Sequence, residues 1–192
     1  MNQHLEIEFK NILTKEEFQL LVQNFSVKKT DFTYQENHYF DTPQFSLKEN
    51  ESALRIRHKK GNYELTLKQP AKEGLLETNQ LLSKEEAHSL LQGSRIPNGD
   101  IATLIGEMGI HSDVQFFGTL ATNRAEFPYQ GGLLVLDHSL YLNTEDFEVE
   151  FEVTNTLEGK EIFEKLLKSL QIPIRKNENK VRRFYNAKQK QN

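Results

Sequence analysis

Apolar and polar residues alternate with a period of two in several stretches of this chain, and recur at helical spacing in others. "HLEIEFK" (4–10) puts Leu5, Ile7 and Phe9 on one face and Glu6, Glu8 and Lys10 on the other, as a strand does. In "TKEEFQLLVQNF", Thr14 is an N-cap with Glu17 completing a capping box, and Phe18, Leu21, Val22 and Phe25 follow at helical spacing. "ENHYFDT" is extended up to Pro43. "SALRIRHKKGNYELTLKQP" predicts a hairpin of two alternating runs joined by Lys60, Gly61 and Asn62. "GLLETNQLL" predicts a further strand, and Ser83 with Glu86 opens a helix "SKEEAHSLLQ". A short helix is expected from Asp100 to Met108, before Gly109. "VQFFGTLATNRAEFPY", "GLLVLDHSLYL" and "DFEVEFEVT" predict a three-strand meander with Gly131-Gly132 at one turn. "TLEGKEIFEKLLKSLQI" is an amphipathic helix whose apolar stripe is Ile162, Phe163, Leu166, Leu167 and Leu170. A polar tail is expected from about residue 186. The order is α+β: about eight strands, mostly antiparallel neighbours, with helices in the connections.

One alternating strand ordinarily means a half-buried sheet with a wet face. Here the polar faces are sorted by charge. Leu54 and Ile56 oppose Arg55 and Arg57, and Leu65 and Leu67 oppose Glu64, Thr66 and Lys68. Phe147, Val149, Phe151 and Val153 oppose Glu148, Glu150 and Glu152. Like charges opposed on a sheet are destabilising. At an effective dielectric of about 20, two of them ~4 Å apart cost on the order of 4 kcal/mol before relaxation. Divalent cations on the acids and a polyanion on the bases would offset that repulsion. The expected fold therefore turns its apolar side outward under the helices and its charged side inward. About eight antiparallel strands suffice to close such a barrel around one small ligand. Carboxylate oxygens suit Mg²⁺ or Mn²⁺, and paired arginines suit phosphate oxygens.

Composition narrows the chemistry. The 192 residues suffice for one substantial domain, and a single domain over 1–192 is expected. With 24 basic and 28 acidic side chains the net charge is −4, which gives no global field favouring nucleic acid or an anionic membrane. There is no cysteine, which excludes disulfides, thiolate metal sites and cysteine nucleophiles and suits a reducing cytoplasm. The polar N-terminus shows no signal-peptide core, and no long apolar run follows, so a soluble, cytoplasmic protein is expected. No Walker or GxGxxG pattern is present, and "KKG" at 59–61 is a hairpin tip rather than a phosphate loop. The six histidines stand singly and read as surface or structural residues.

Glu6-x-Glu8-x-Lys10 resembles the ExExK signature of the CYTH superfamily, the triphosphate tunnel metalloenzymes. Later motifs agree in order: "YFDT" (39–42), "ALRIR" (53–57), "LTLK" (65–68), Glu77 in "LLETN", Arg124 in "LATNR", "LVLD" ending at Asp137, "EVEFE" (148–152) and "NKVRRF" (179–184). The likeness spans nearly the whole chain and is nearest to the stand-alone CYTH proteins of Gram-positive bacteria. It implies an eight-stranded antiparallel tunnel, charged within and carrying helices outside, that binds a small-molecule triphosphate. By the same resemblance Glu6, Glu8, Glu150 and Glu152 would hold divalent metals, with Glu148 helping to bind metal or position water. Arg55, Arg57, Lys68, Arg124, Lys180 and Arg183 would grip phosphates, and Lys10 would orient a phosphate or an attacking water. Asp137 and Glu77 would hold basic residues or a second metal.

The implied activity is a Mg²⁺- or Mn²⁺-dependent triphosphatase acting on inorganic, nucleoside or thiamine triphosphate. The alternatives are a class IV-type adenylate cyclase and a non-catalytic triphosphate or polyphosphate binder. Several residues also carry plainer readings. Asp41 and Thr42, before Pro43, serve equally as a turn or helix cap. Asp137 lies where alternation is poor and reads equally as a strand-end residue before a His138-Ser139 turn. Arg175, Lys176, Arg182, Lys188 and Lys190 read as a solvated basic end. An exposed apolar strand edge would support a homodimer.

Overall fold

The computed structural model describes residues 2–175 and 178–189. Eight antiparallel strands account for the alternating stretches: β1 (Asn2–Leu13), β2 (Thr33–Asp41), β3 (Ala53–Lys59), β4 (Asn62–Pro70), β5 (Leu75–Leu82), β6 (Gln115–Tyr129), β7 (Gly132–Tyr141) and β8 (Thr144–Val153). Their hydrogen-bonded order, β1-β5-β4-β3-β2-β6-β7-β8, closes on itself as a barrel. Closure works because β1 serves two neighbours: Asn2–Glu6 pair with β5 and Ile7–Leu13 pair with β8. A closed order leaves none of these strands at an edge, so the edge on which a homodimer was expected to pair does not exist among the described strands.

Among the described residues, four α-helices fill connections between strands, α1 (Lys15–Asn24), α2 (Ser46–Glu49), α3 (Lys84–Leu91) and α4 (Asp100–Glu107), and two follow the last strand, α5 (Thr156–Ser169) and α6 (Lys180–Gln189). Both expected capping boxes are present, Thr14 with Glu17 and Ser83 with Glu86, each pairing side chain to backbone in both directions. Among the described residues, no helix is long and apolar enough to cross a membrane.

The turns explain the tight meander. Lys59 pairs with Asn62, so the β3–β4 turn is the two residues Lys60 and Gly61, one fewer than expected. Lys60 and Gly61 have φ of 51° and 80°, and Gln130-Gly131 and Leu142-Asn143 likewise pair two positive φ values. Two successive left-handed residues give the turn whose twist matches that of antiparallel strands. β7 runs on to Tyr141, so His138 and Ser139 are strand residues and the turn expected there is absent.

The chain divides into two compact units, one of Met1–Glu6 with Gln35–Leu120 and one of Ile7–Tyr34 with Ala121–Asn192. In the first, Leu54, Ile56, Leu65, Leu67 and Leu82 of the strands pack with Leu47 of α2, Ala87 and Leu90 of α3, and Ile101 and Ile105 of α4. In the second, Leu134, Leu136, Phe147, Val149 and Phe151 pack with Phe18 and Leu21 of α1 and Phe163, Leu166 and Leu167 of α5. Each helix buries the apolar stripe its sequence carries, and the strand faces left over are those that carry the charges.

The C-terminal segment departs from expectation. The residues from about 186 continue a helix to Gln189 rather than starting a polar tail. Phe184 and Tyr185 are buried, and Phe184 meets Tyr141 edge-on with ring centroids 5.7 Å apart. Arg175 is also engaged, pairing with Glu17 at 2.7 Å rather than facing solvent alone. Lys176 and Lys190, read as part of the solvated end, lie outside the described residues, as do Met1, Asn177, Gln191 and Asn192.

Candidate active site

In the second unit, strand register brings basic and acidic side chains of four strands together. Arg124 of β6 stands opposite Asp137 of β7, and Asp137 stands opposite Glu148 of β8. One step along, Lys10 of β1 faces Glu150, and Glu8 faces Glu152. The period of two carries Glu148, Glu150 and Glu152 to one face, away from the apolar core formed by Phe147, Val149 and Phe151. Asp137 and Glu148 are 0% exposed and Glu150 is 5% exposed. Carboxylates are almost never buried so fully unless paired.

Here they are paired. Arg124 donates from Nε to Asp137 Oδ1 at 2.7 Å and from Nη2 to Asp137 Oδ2 at 2.6 Å, and its Nη2 also reaches Glu150 Oε2 at 2.7 Å. Lys180, at the start of α6, places its ammonium against Asp137 Oδ2, 3.2 Å from Glu150 Oε1 and 3.4 Å from Glu148 Oε1. One turn further on, Arg183 donates to Glu148 Oε2 at 2.7 Å and to Asp146 Oδ2 at 3.0 Å. Lys10 pairs with Glu8.

The electrostatics follow from this geometry. Burial opposes the charge on Glu150, but Lys180 and Arg124 overcome it and hold the carboxyl well below its ordinary range. Asp137 is lowered in the same way, against burial, by Arg124 and Lys180. Glu148 goes the other way: burial, with Glu150 beside it, outweighs Lys180 and Arg183 and raises it. Burial also opposes the charge on Lys10, which Glu8, Glu150 and Glu148 nonetheless raise. Adjacent carboxylates pushed in opposite directions are typical of a functional site.

The first unit carries its own charged face. Lys68 of β4 donates to Glu6 Oε2 at 2.5 Å and contacts its register partner Glu77. Arg55 lies 3.7 Å from Glu77 Oε1, Arg57 donates to Asn37 Oδ1 at 3.4 Å, and His4 Nε2 is 3.3 Å from Glu77 Oε2. Burial works against the Glu77 charge, but Lys68 and Arg55 prevail and hold its pKa at about 2. A lowered carboxyl stabilises the fold fully above its unfolded value of 4.5, and that stability is lost as pH falls toward about 2. The size of the effect is on the order of 3 kcal/mol. Glu77→Gln is therefore expected to flatten the fall in stability across this window, read from urea midpoints measured at successive acid pH values. An acid limb as steep as the wild type's would remove this role from Glu77.

Among the described residues, Asp137, Glu148 and Glu150 form the one group of three metal-capable side chains whose ligand atoms all lie within 4.8 Å of one another. Hard oxygen donors with no sulfur or imidazole among them suit a hard divalent cation. Of the four residues expected as the main metal ligands, this group contains Glu150 but not Glu6, Glu8 or Glu152; it joins Glu150 to Glu148 and Asp137, for which metal binding was one of two expected roles. Asp41 serves the backbone: its carboxylate accepts from the amides of Thr42, Leu47 and Lys48 and so holds α2 in place. His4 and Asp146 join the charged faces without having been singled out in the sequence. The alternation of β1 placed His4 beside Glu6, but a lone histidine carries no signal of its own.

Comparison with known proteins agrees with this architecture. Residues 4–185 match the CYTH domain. The chain is 51% identical over 191 residues, 99% of each sequence, to the Bacillus subtilis (strain 168) protein named "Putative triphosphatase YjbK". A crystal structure from Bacillus halodurans, described as a "putative adenylate cyclase", superposes with a TM-score of 0.93 at 44% identity, covering 96% of this chain and 100% of that one. HpAC1 of Hippeastrum, a "putative adenylyl cyclase" described as having a dominant triphosphatase activity, superposes with a TM-score of 0.75 at 27% identity, covering 95% of this chain and 96% of that one. The order of motifs, the closed eight-stranded barrel and the full-length match together make this chain a member of the CYTH domain family.

Proposed function

We propose that this protein is a divalent-metal-dependent triphosphatase that hydrolyses inorganic triphosphate or an organic triphosphate such as a nucleoside or thiamine triphosphate. The observation that carries this reading is the buried set Asp137, Glu148 and Glu150, interlocked with Arg124, Lys180 and Arg183 on one face. Carboxylates suited to a hard cation beside guanidinium and ammonium groups suited to phosphate oxygens answer both halves of a metal–triphosphate complex. The triphosphatase name of the Bacillus subtilis relative and the dominant triphosphatase activity described for the Hippeastrum one support it.

Glu150, with Glu148 and Asp137 beside it, would hold Mg²⁺ or Mn²⁺, and Glu6, Glu8 and Glu152 are proposed as further ligands. The bound ion would neutralise phosphate oxygens and lower the pKa of a water. Arg124, Lys180 and Arg183 are proposed to bind phosphate oxygens and stabilise charge on the transferring group, and Arg55, Arg57 and Lys68 are proposed as further phosphate-binding residues. Lys10 orients a phosphate or the attacking water. Water adds to the terminal phosphorus, the bridging P–O bond breaks, and orthophosphate leaves from the remaining phosphate chain. Glu77 holds Lys68 and Arg55, and Asp137 holds Arg124. Residues 1–192 act as one CYTH-like domain, and the absence of cysteine suits a cytoplasmic setting.

A second reading, cyclisation of ATP, is favoured by the cyclase name of the Bacillus halodurans relative. Phosphate release from a panel of triphosphates with Mg²⁺ and Mn²⁺, run beside a cyclic-AMP assay, decides between them. The expected result is orthophosphate without cyclic AMP; cyclic AMP and diphosphate from ATP would replace the hydrolase reading. In the same assay Arg55→Ala is expected to raise KM about tenfold with a smaller fall in kcat, the pattern of lost ground-state binding. An unchanged KM would remove Arg55 from the phosphate grip.

A further inference from the structure

We infer that Lys180 holds the metal's seat in the metal-free protein: its ammonium stands among Asp137, Glu148 and Glu150 and yields that position when a divalent cation binds. The inference rests on the proposed metal-dependent function and adds a competition within the site.

Lys180 contacts all three carboxylates of the metal-capable group, reaching Glu150 at 3.2 Å, Glu148 at 3.4 Å and Asp137 more closely still. The ligand oxygens lie within 4.8 Å of one another, which leaves room for one cation between them. A hard ion approaching its oxygens to about 2.1 Å cannot share that space with an ammonium nitrogen.

Charge balance points the same way. When ionised, Asp137, Glu148, Glu150 and the neighbouring Asp146 carry four negative charges, and Arg124, Lys180 and Arg183, with Lys10 attracted to Glu148 and Glu150, already face them with four positive ones. A divalent ion added to this buried, balanced group meets repulsion unless one of the resident cations withdraws.

Of Arg124, Lys180 and Arg183, Lys180 is the one built to withdraw. Arg124 is fixed by a two-point grip on Asp137, and Arg183 is tied also to Asp146 and to the Glu178 carbonyl at 2.6 Å. Lys180 is a point charge on a flexible four-carbon stem. The buried rings of Phe184 and Tyr185 anchor its helix, so the side chain can swing without moving α6. Displaced from the carboxylates, the ammonium becomes available to a phosphate oxygen. Metal and triphosphate are then taken up cooperatively, each supplying the charge that the other needs.

The test measures Mn²⁺ binding to the full chain without triphosphate, by loss of the free-ion paramagnetic resonance signal. Lys180→Gln is expected to bind Mn²⁺ roughly tenfold or more tightly than wild type, whereas Lys180→Arg, which keeps the charge, stays weak. Equal Mn²⁺ affinity in wild type and Lys180→Gln would overturn the inference while leaving the metal site standing. No Mn²⁺ binding in any variant, with or without triphosphate, would remove both this inference and the proposed function. If Lys180→Gln fails to fold, the wild-type ammonium resonance of Lys180 serves instead. It is expected to shift and exchange faster on adding Mg²⁺; a bound Mg²⁺ that leaves it unchanged overturns the inference.

Discussion

Glu150→Gln is expected to reduce phosphate release from triphosphate by a factor of ~10³ or more without unfolding the protein. The substitution keeps the shape of the side chain and removes its charge. Glu150 is the carboxylate on which the site converges: it stands opposite Lys10, accepts from Arg124, lies 3.2 Å from Lys180 and shares the metal-capable group with Asp137 and Glu148. Its charge survives burial because Lys180 and Arg124 sustain it. A neutral amide there would weaken the hold on a hard cation and leave those two bases less well matched. Arg124 would keep its two-point contact with Asp137, so the fold should survive. Steady-state rates with Mg²⁺ and Mn²⁺, beside a thermal melt, give the answer. Glu8→Gln is expected to abolish turnover as well, since Glu8 neutralises Lys10 and faces Glu152 across the β1–β8 ladder. Near-normal turnover in either folded variant would refute its assignment as a metal ligand.

The largest loss of stability is expected from Arg124→Ala, about 3–5 kcal/mol, the usual cost of leaving a buried charge without its partner. Asp137 is 0% exposed, and Arg124 gives it both hydrogen bonds of a bidentate pair while also binding Glu150. Lys180 would be left as the base in contact with both carboxylates. The loss should appear as a lower urea midpoint with an unchanged slope. It should be largest near neutral pH, because the arginine holds Asp137 and Glu150 below their ordinary range and their contribution disappears as acid protonates them. A midpoint within experimental error of the wild type would mean that this pair does not support the fold.

The parts of the structure legible in the sequence are those governed by local rules. Alternation in "HLEIEFK", "LRIR" and "FEVEFEV" placed the strands and separated the apolar from the charged faces, because side chains on a strand point alternately up and down. Thr14 with Glu17 and Ser83 with Glu86 announced two helix starts through capping chemistry that needs only four residues. What was hidden depends on pairing between distant segments. Asp137 looked like the end of a strand because β7 is buried on both sides, with Leu134, Val135 and Leu136 all inaccessible, so no alternation marks its face. Its nearness to Glu148 follows from the β7–β8 register, which no local pattern encodes. Helix α6 escaped because it is strongly polar, with its docking confined to Phe184 and Tyr185. The four-residue α2 escaped because Asp41 holds it through backbone amides six and seven residues away.

The central claim is that the acidic side chains of β7 and β8 take a divalent cation in order to act on a triphosphate. Crystals grown with Mn²⁺ and a slowly hydrolysed triphosphate analogue, examined by anomalous scattering, test it most directly. A manganese peak within coordination distance of Glu150, and of Glu148 or Asp137, is the predicted result. Crystals that hold the analogue while every manganese peak lies away from these carboxylates would contradict it.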